Sequence, residues 1–294
     1  MKTVTQKGYA KINLHLDITG RTNDGYHLVE TVMQSISLCD DITLTKRNDG
    51  KFTVSCNACG VPTDERNLAV KAALLFCEKT GFNIGADIVI YKRIPMAAGM
   101  AGGSADAAAV LRAMNELSDN VLSEEELCDL GARLGADVPF CVVCGSSYAD
   151  GKGDKLHAFP TMPDCYIVAA CGGEGVSTPW AYGTLDGMYN GFYDNSGYSP
   201  RGTAALSAAI KDGNIESVAK AMYNVFEEPI LAVRPIAKEI REIMRDNGAV
   251  GAMMSGSGPS VFGIYTDKET AECVAERIKA NGYFASVCKP IYII

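Results

Sequence analysis

From residue 10 the chain alternates: Ala10, Ile12, Leu14, Leu16 and Ile18 are apolar, while Lys11, Asn13, His15 and Asp17 are polar. A period of two marks a half-buried β-strand. It puts a lysine, an amide, an imidazole and a carboxylate on one face, and alone that face reads as the solvated side of an ordinary sheet. Asn23-Asp24-Gly25 signals a turn, and strand-like runs follow around 35–38 and 42–45. Leu68, Ala72, Leu75 and Phe76 share a stripe that predicts a helix over 67–79, with Gly81 just past its end. A strand over 88–90 leads into a glycine-rich loop and a helix over 107–117. Ser123-Glu124-Glu125-Glu126 is a capping box that opens a helix running to about 134. The apolar run from Val138 to Cys144 reads as a strand. Beyond it the pattern predicts a strand over 166–170, helices across 200–247 and a glycine-centred hairpin around 255–259. An amphipathic helix over 267–279 and a final strand over 283–293 follow. Strands and helices mix without regular alternation, so the class is α+β rather than a doubly wound parallel sheet. The change of order near residue 160 predicts two domains, 1–160 and 161–294.

Composition narrows the function. The 294 residues carry a net charge of −8 and a sequence pI near 5.0. A hydrophobic fraction of 47% excludes disorder over most of the chain. The acidic balance argues against a duplex-binding protein, yet a local positive site for a phosphorylated substrate remains compatible with it. The first residues lack the apolar core of a secretory signal, and no stretch approaches the ~18 uninterrupted apolar residues of a membrane span. Eleven cysteines without a dense framework predict buried free thiols in a reducing cytoplasm. Two C-x-x-C spacings, Cys56/Cys59 and Cys141/Cys144, raise a zinc site. For the second pair the strand reading separates the thiols onto opposite faces, which argues against it.

The segment Pro95, Met96, Ala97, Ala98, Gly99, Met100, Ala101, Gly102, Gly103, Ser104, Ala105 joins a strand to a helix. Glycines let a backbone approach a ligand closely, and a helix starting just after Ser104 would point its N–H groups and positive dipole end back at the loop. Together these suit a phosphate chain, although a tight turn packed for its own sake would use the same residues. The segment lacks the G-K-[ST] of a P-loop and the G-x-G-x-x-G spacing of a dinucleotide fold. Asp137, in Leu-Gly-Ala-Asp-Val-Pro-Phe, reads alone as a helix cap. Met254-Ser-Gly-Ser-Gly-Pro-Ser260 reads alone as a hairpin turn.

In order along the chain, AKINLHL, PMAAGMAGGSADAAA, LGADVPF and MSGSGPSVFG resemble the GHMP kinase superfamily of small-molecule ATP kinases. The stretch ITGRTNDGYHLVETVMQSISLCD resembles the R-x-D-G-Y-H-x-x-x-T segment of one branch, and GVSTPWAY resembles its substrate-side loop. The likeness runs from about residue 9 to 264. It implies an α+β, two-domain GHMP kinase fold, ribosomal-protein-S5-domain-2-like at the N-terminus and ferredoxin-like at the C-terminus. Residues 95–105 would wrap the phosphates of ATP, with Mg²⁺ as the accompanying ion. Asp137 would be general base on the acceptor hydroxyl, and Lys11 would keep that carboxylate ionised and orient the hydroxyl. Tyr26 and His27, with Asn13 close by, would recognise cytidine, and Tyr182 would supply the opposing aromatic surface. The acceptor would then be a small alcohol carrying a cytidine diphosphate, phosphorylated on the non-mevalonate route to isoprenoid precursors. No nucleic acid, membrane or protein partner is implied.

The chain departs from the family pattern in two places. It has GMAGGSA where GLGGGSS is common, so Ala105 lacks a hydroxyl that Ser104 keeps, and Asn224-Val-Phe-Glu227 replaces N-D-L-E, which reads as a packing variation outside the chemistry. Relatives acting on homoserine, mevalonate or a sugar have no base for Tyr26-His27 to meet. A catalytically silent sensor on the same fold would not require both Lys11 and Asp137. The stretch 183–202 reads as either a lid or a long surface connection.

Overall fold

The computed structural model describes residues 2–192 and 197–292. Its first two strands run well beyond their periodic cores: β1 (Thr3–Arg21) and β2 (His27–Arg47) meet at the expected turn, where Gly25 has φ 87°. β3 (Phe52–Cys56), α1 (Leu68–Thr80), β4 (Gly85–Tyr91) and α2 (Gly102–Leu117) follow. Next come α3 (Glu124–Ala132), α4 (Val138–Val143), β5 (Ser146–Asp150), β6 (Lys155–Ala158), β7 (Tyr166–Cys171) and α5 (Thr178–Met188). The chain continues with α6 (Ala204–Lys211), α7 (Ile215–Ala221), β8 (Tyr223–Asn224), α8 (Glu227–Val233) and α9 (Pro235–Asp246). It closes with β9 (Gly251–Met254), β10 (Val261–Tyr265), α10 (Lys268–Ala280) and β11 (Phe284–Cys288). Contacts divide the chain into two units. One holds residues up to 10, 38–96 and 101–144; the other holds 11–37, 97–100 and 145 onward.

In the first unit β4 pairs antiparallel with the second half of β2, setting Ile42 opposite Ile90 and Leu44 opposite Ile88, and β3 lies parallel to β4. α1 makes the crossover that a parallel pair requires. Its ends are the expected ones: the Asn67 side chain accepts from Ala69 N–H, and Gly81 closes the helix at φ 72°. α1 packs on α2, burying Phe76, Val110, Leu111 and Met114. The capping box at Ser123 and Glu126 is present in full.

Two sequence readings fail here. The run 138–144 is the short helix α4, not a strand, because an apolar run this short has no period that separates the two. Pro139 in the first turn was the available signal. Arg112 donates to the carbonyls of Cys141 and Val142 at its other end, at 2.6 and 3.2 Å, satisfying last-turn groups. α2 starts at Gly102, five residues before the predicted 107, because its first turn is built from the glycines that mask a helical pattern.

The second unit contains β7, β9, β10 and β11 as an antiparallel sheet in the order β11-β7-β10-β9, with α9 and α10 packed against it. Val168, Phe226, Met244, Met254, Val261 and Ile278 fill its core. The first half of β2 pairs with β5, and His15 and Leu16 of β1 pair in parallel with β8. The hairpin and the amphipathic helix fall where predicted, with Asp267 as N-cap of α10. The final strand ends at Cys288, short of 293, which lies outside the described residues. The stretch 183–202 is not one loop: 183–188 belong to α5, and 193–196 lie outside the described residues. Among the described residues all eleven cysteines are free thiols, but Cys59 and Cys273 are exposed rather than buried, and no helix is long and apolar enough to cross a membrane.

Gly8 of β1 sits where an added Cβ would lie 2.8 Å from the carbonyl oxygen of Ala105 in α2. Gly8→Ala should therefore destabilise by about 1–3 kcal/mol. Gly187→Ala, at a helical site where a Cβ meets nothing within 4 Å, should stabilise by about 0.5–1 kcal/mol. Calorimetric melting decides both, and an undiminished midpoint for Gly8→Ala would contradict the close strand–helix approach.

Candidate active site

The glycine-rich segment is shaped by its backbone. Ala97, Gly99 and Ala101 alternate in the left-handed region, at φ 52°, 80° and 57°. An alanine there costs of order 1–3 kcal/mol, so the surroundings must hold it in place. Left-handed residues recurring along a turn are the pattern of anion-binding nests. Ala101 is also the N-cap of α2 and leads straight into a first turn whose N–H groups have no intrahelical acceptor. Met96, Ala97 and Gly103 are exposed; Pro95, Gly99, Ala101, Gly102 and Ser104 are half-buried; Ala98, Met100 and Ala105 are buried.

Within the second unit the 255–258 turn backs this segment. A Cβ on Gly99 would fall 2.6 Å from the Ser255 carbonyl, so only glycine permits the approach. Ser260 N–H donates to Ala98 O at 3.1 Å, and Ser255 Oγ donates to Gly99 O at 3.3 Å. Asn224 holds the turn itself, its Nδ2 donating to the carbonyls of Met254 (2.7 Å) and Gly256 (2.9 Å). Asn224, which matches the first residue of N-D-L-E, thus fixes the backbone behind Gly99, while the two differing positions, Val225 and Phe226, are buried apolar side chains.

The polar face of β1 is not solvated, contrary to the simplest reading of its alternation. Lys11 is 4% exposed, Asn13 3%, His15 1% and Asp17 0%. The face is interior because partners close over it. Lys11 Nζ donates to Asn13 Oδ1 at 2.7 Å, and Lys11 N–H donates to Met100 O at 3.3 Å. Asn13 N–H donates to Ser255 Oγ at 3.2 Å, and Asn13 Nδ2 donates to Thr31 Oγ1 at 2.8 Å. Asp17 accepts from the Tyr198 hydroxyl and from Arg201 N–H. Burial and that carboxylate push the Tyr198 phenol well above its ordinary range. Lys11, Asn13, Ser255 and the 97–100 stretch are therefore one connected group.

Asp137 lies in the first unit, half-buried, at the residue that opens α4. Its carboxylate makes no cap bond to that helix, so the helix-cap reading does not account for it.

Tyr26 and His27 follow the β1–β2 turn. Tyr26 is 59% exposed, and Lys152 Nζ stands 3.7 Å from its ring centroid. The His27 ring lies 4.7 Å from Tyr182 and 5.8 Å from Phe192. Asp186 joins His27 Nε2 at 2.7 Å and Arg21 at 3.1 Å. Asp186 was missed, although it lies one helical turn beyond Tyr182, and α5 was itself missed because Gly183 and Gly187 dilute its pattern. Lys152, on the turn between β5 and β6, left no signal that sequence could have read.

Residues 67–145 match the model for the GHMP kinases N terminal domain, and residues 206–283 match that for the GHMP kinases C terminal domain. A 4-diphosphocytidyl-2-C-methyl-D-erythritol kinase of Alkaliphilus metalliredigens is 42% identical over 278 residues, covering 95% of this chain and 93% of that one. One of Gloeobacter violaceus is 42% identical over 292 residues, covering 98% and 95%. A crystal structure of 4-(cytidine 5'-diphospho)-2C-methyl-D-erythritol kinase superposes with a TM-score of 0.82 at 30% identity, over 99% of this chain and 100% of that one. A homoserine kinase from Cytophaga hutchinsonii shares the fold, at 20% identity over 99% of this chain and 95% of that one, with a TM-score of 0.73.

His15 gives the pH behaviour of the β1 face. Neither of its ring nitrogens has a hydrogen-bond partner among the described residues, and burial lowers its pKa despite the opposing pull of Asp17 and Glu30; Arg201 adds to the lowering. The unfolded chain then takes up the proton first on acidification. Stability is full above the unfolded-state pKa and falls as pH drops from there through the folded-state value, by at most about 1.4 kcal/mol per pH unit. Thermal melts between pH 7.5 and 5.5 should show a shallower loss for His15→Leu than for the parent. Identical slopes would contradict a buried neutral imidazole.

Proposed function

This chain belongs to the GHMP kinases, and from that premise we propose that it transfers the γ-phosphate of ATP to the 2-hydroxyl of 4-diphosphocytidyl-2-C-methyl-D-erythritol. It does so in the cytoplasm, on the non-mevalonate route to isoprenoid precursors. The observation that carries the acceptor is the aromatic group around His27. Tyr26 is exposed, His27 is held by Asp186, and Tyr182 lies against the imidazole. An acceptor without a base, such as homoserine or mevalonate, has no use for such a group.

In this reading residues 95–105 bind the phosphates through backbone N–H groups and the start of α2. Asp137 accepts the proton of the acceptor hydroxyl as its oxygen bonds to the γ-phosphorus. The bond from that phosphorus to the bridging oxygen breaks, and ADP leaves with the electron pair. Lys11, buried and oriented by Asn13, steers the hydroxyl. Tyr26 and Tyr182 stack on the cytosine, and His27 meets its polar edge. Mg²⁺ bound with ATP supplies neutralisation of phosphate charge.

The test is ADP release from Mg-ATP with a panel of the cytidylyl-methylerythritol, homoserine, mevalonate and galactose, followed by ³¹P NMR. A new phosphomonoester with the cytidylyl compound alone is expected, and turnover with another alcohol would overturn the base-recognition reading. Asp137→Ala and Lys11→Ala should each lower kcat by about 10² or more with ATP affinity largely kept. Tyr26→Ala should raise KM for the cytidylyl acceptor. Near-normal turnover in either of the first two variants would overturn the assigned mechanism.

A further inference from the structure

The first unit holds a buried cluster of charge that the proposed chemistry does not use. Lys92, just past β4, places Nζ 2.6 Å from Asp40 Oδ2 in β2 and 2.8 Å from Asp106 Oδ2 in α2. The three side chains are 6%, 0% and 6% exposed. Asp40 Oδ1 also accepts from the N–H groups of Arg93 (2.5 Å) and Ile94 (2.9 Å). The Lys92 backbone is pinned as well, its N–H donating to Asn57 Oδ1 at 2.6 Å and its carbonyl accepting from Asn57 Nδ2 at 3.1 Å. These bonds fix the chain entering the glycine-rich segment. Asp106 fixes the chain leaving it, two residues past Ser104.

We propose that Lys92, bridging Asp40 and Asp106, is a positioning residue for ATP: it clasps the neck of the glycine-rich segment and sets the geometry in which that segment meets the phosphates. The inference rests on the nucleotide reading of residues 95–105. Stability alone does not explain the cluster, since a buried ion pair is commonly no more stabilising than well-packed apolar side chains of the same volume. What charge adds is direction, because two carboxylates on different elements must both meet one ammonium. Space for it is reserved: a Cβ on Gly102, the first residue of α2, would come 3.1 Å from Lys92 Nζ. Small displacements of a phosphate-binding backbone are costly, since transfer depends on placement.

The cluster also has a charge balance that reaches the segment. Lys92 and Asp40 are the charged groups that face Asp106; Arg93 and Asp41 pair with each other beside them. Burial and Asp40 lift Asp106 to about 7 against the pull of Lys92, and its Oδ1 has no hydrogen-bond partner among the described residues. Burial pulls Lys92 down, but the two carboxylates carry it above its ordinary value, so it stays charged. With Asp106 protonated the cluster is neutral. With Asp106 ionised it carries one negative charge in the second turn of α2, where it opposes an incoming polyphosphate.

Binding of a non-hydrolysable ATP analogue, measured by calorimetry on the whole protein, tests this. Lys92→Met should weaken binding at least tenfold and raise KM for ATP by a larger factor than it lowers kcat. The parent should bind several-fold more weakly as pH rises from 6 to 8.5, and Asp106→Asn should flatten that profile. Titration of the nucleotide's own phosphate is common to both proteins and cancels in the comparison. If Lys92→Met does not fold, the Asp106→Asn profile and Lys92→Arg, which should recover most of the affinity, decide in its place. A folded Lys92→Met protein that binds the analogue like the parent, or an Asp106→Asn profile as steep as the parent's, overturns the proposal. A parent that binds no ATP analogue at all overturns the nucleotide reading first, and this inference with it.

Discussion

A charge removed from water must find its partner inside the protein, and leaving it unpaired costs several kcal/mol. Much of this structure follows from that requirement. Lys11, Asp17, Asp40, Lys92 and Asp106 are all buried or nearly so. Asp17 draws Tyr198 and Arg201 N–H onto β1, and Lys11 holds Asn13, which in turn meets Ser255 and Thr31. Asp40 and Asp106 bring β2 and α2 to a single lysine. His15 meets the same requirement by another route and stays neutral.

The second constraint is backbone approach. Ala97 and Ala101 hold left-handed conformations that alanine disfavours, and each flanks Gly99, whose missing side chain lets the Ser255 carbonyl come close. Asn224 stiffens that support from the opposite side of the turn. A segment strained in this way keeps its shape before any ligand arrives, so less ordering entropy is lost on binding. The fold therefore offers backbone N–H groups where the proposed chemistry calls for anion binding.

The legibility of the sequence varied with the physics of each element. α1 and α3 were readable because their caps are made by side chains with strong local preferences, Asn67, Gly81 and Ser123. The hairpin around 255–259 was readable from its glycines. α4 was not, since a short apolar helix buried on most sides shows no amphipathic stripe. The early start of α2 was hidden by Gly102 and Gly103, which read as loop, and α5 was diluted in the same way. The motifs marked the site candidates in order, but the interior position of the β1 face depends on partners 16 to 242 residues away in sequence, such as Thr31 for Asn13's neighbour His15 and Ser255 for Asn13. Asp186, Lys152 and Lys92 became visible only once the chain was folded, because each acts through a residue distant in sequence.

The central claim is that the backbone of residues 97–103 receives the nucleotide's phosphates. Amide NMR of the labelled protein, titrated with a non-hydrolysable ATP analogue, tests it most directly. The account predicts that the largest downfield amide shifts fall on Gly99, Ala101, Gly102 and Gly103, as charge-assisted hydrogen bonds form there. Binding that leaves those four amides in place and perturbs residues elsewhere would contradict it.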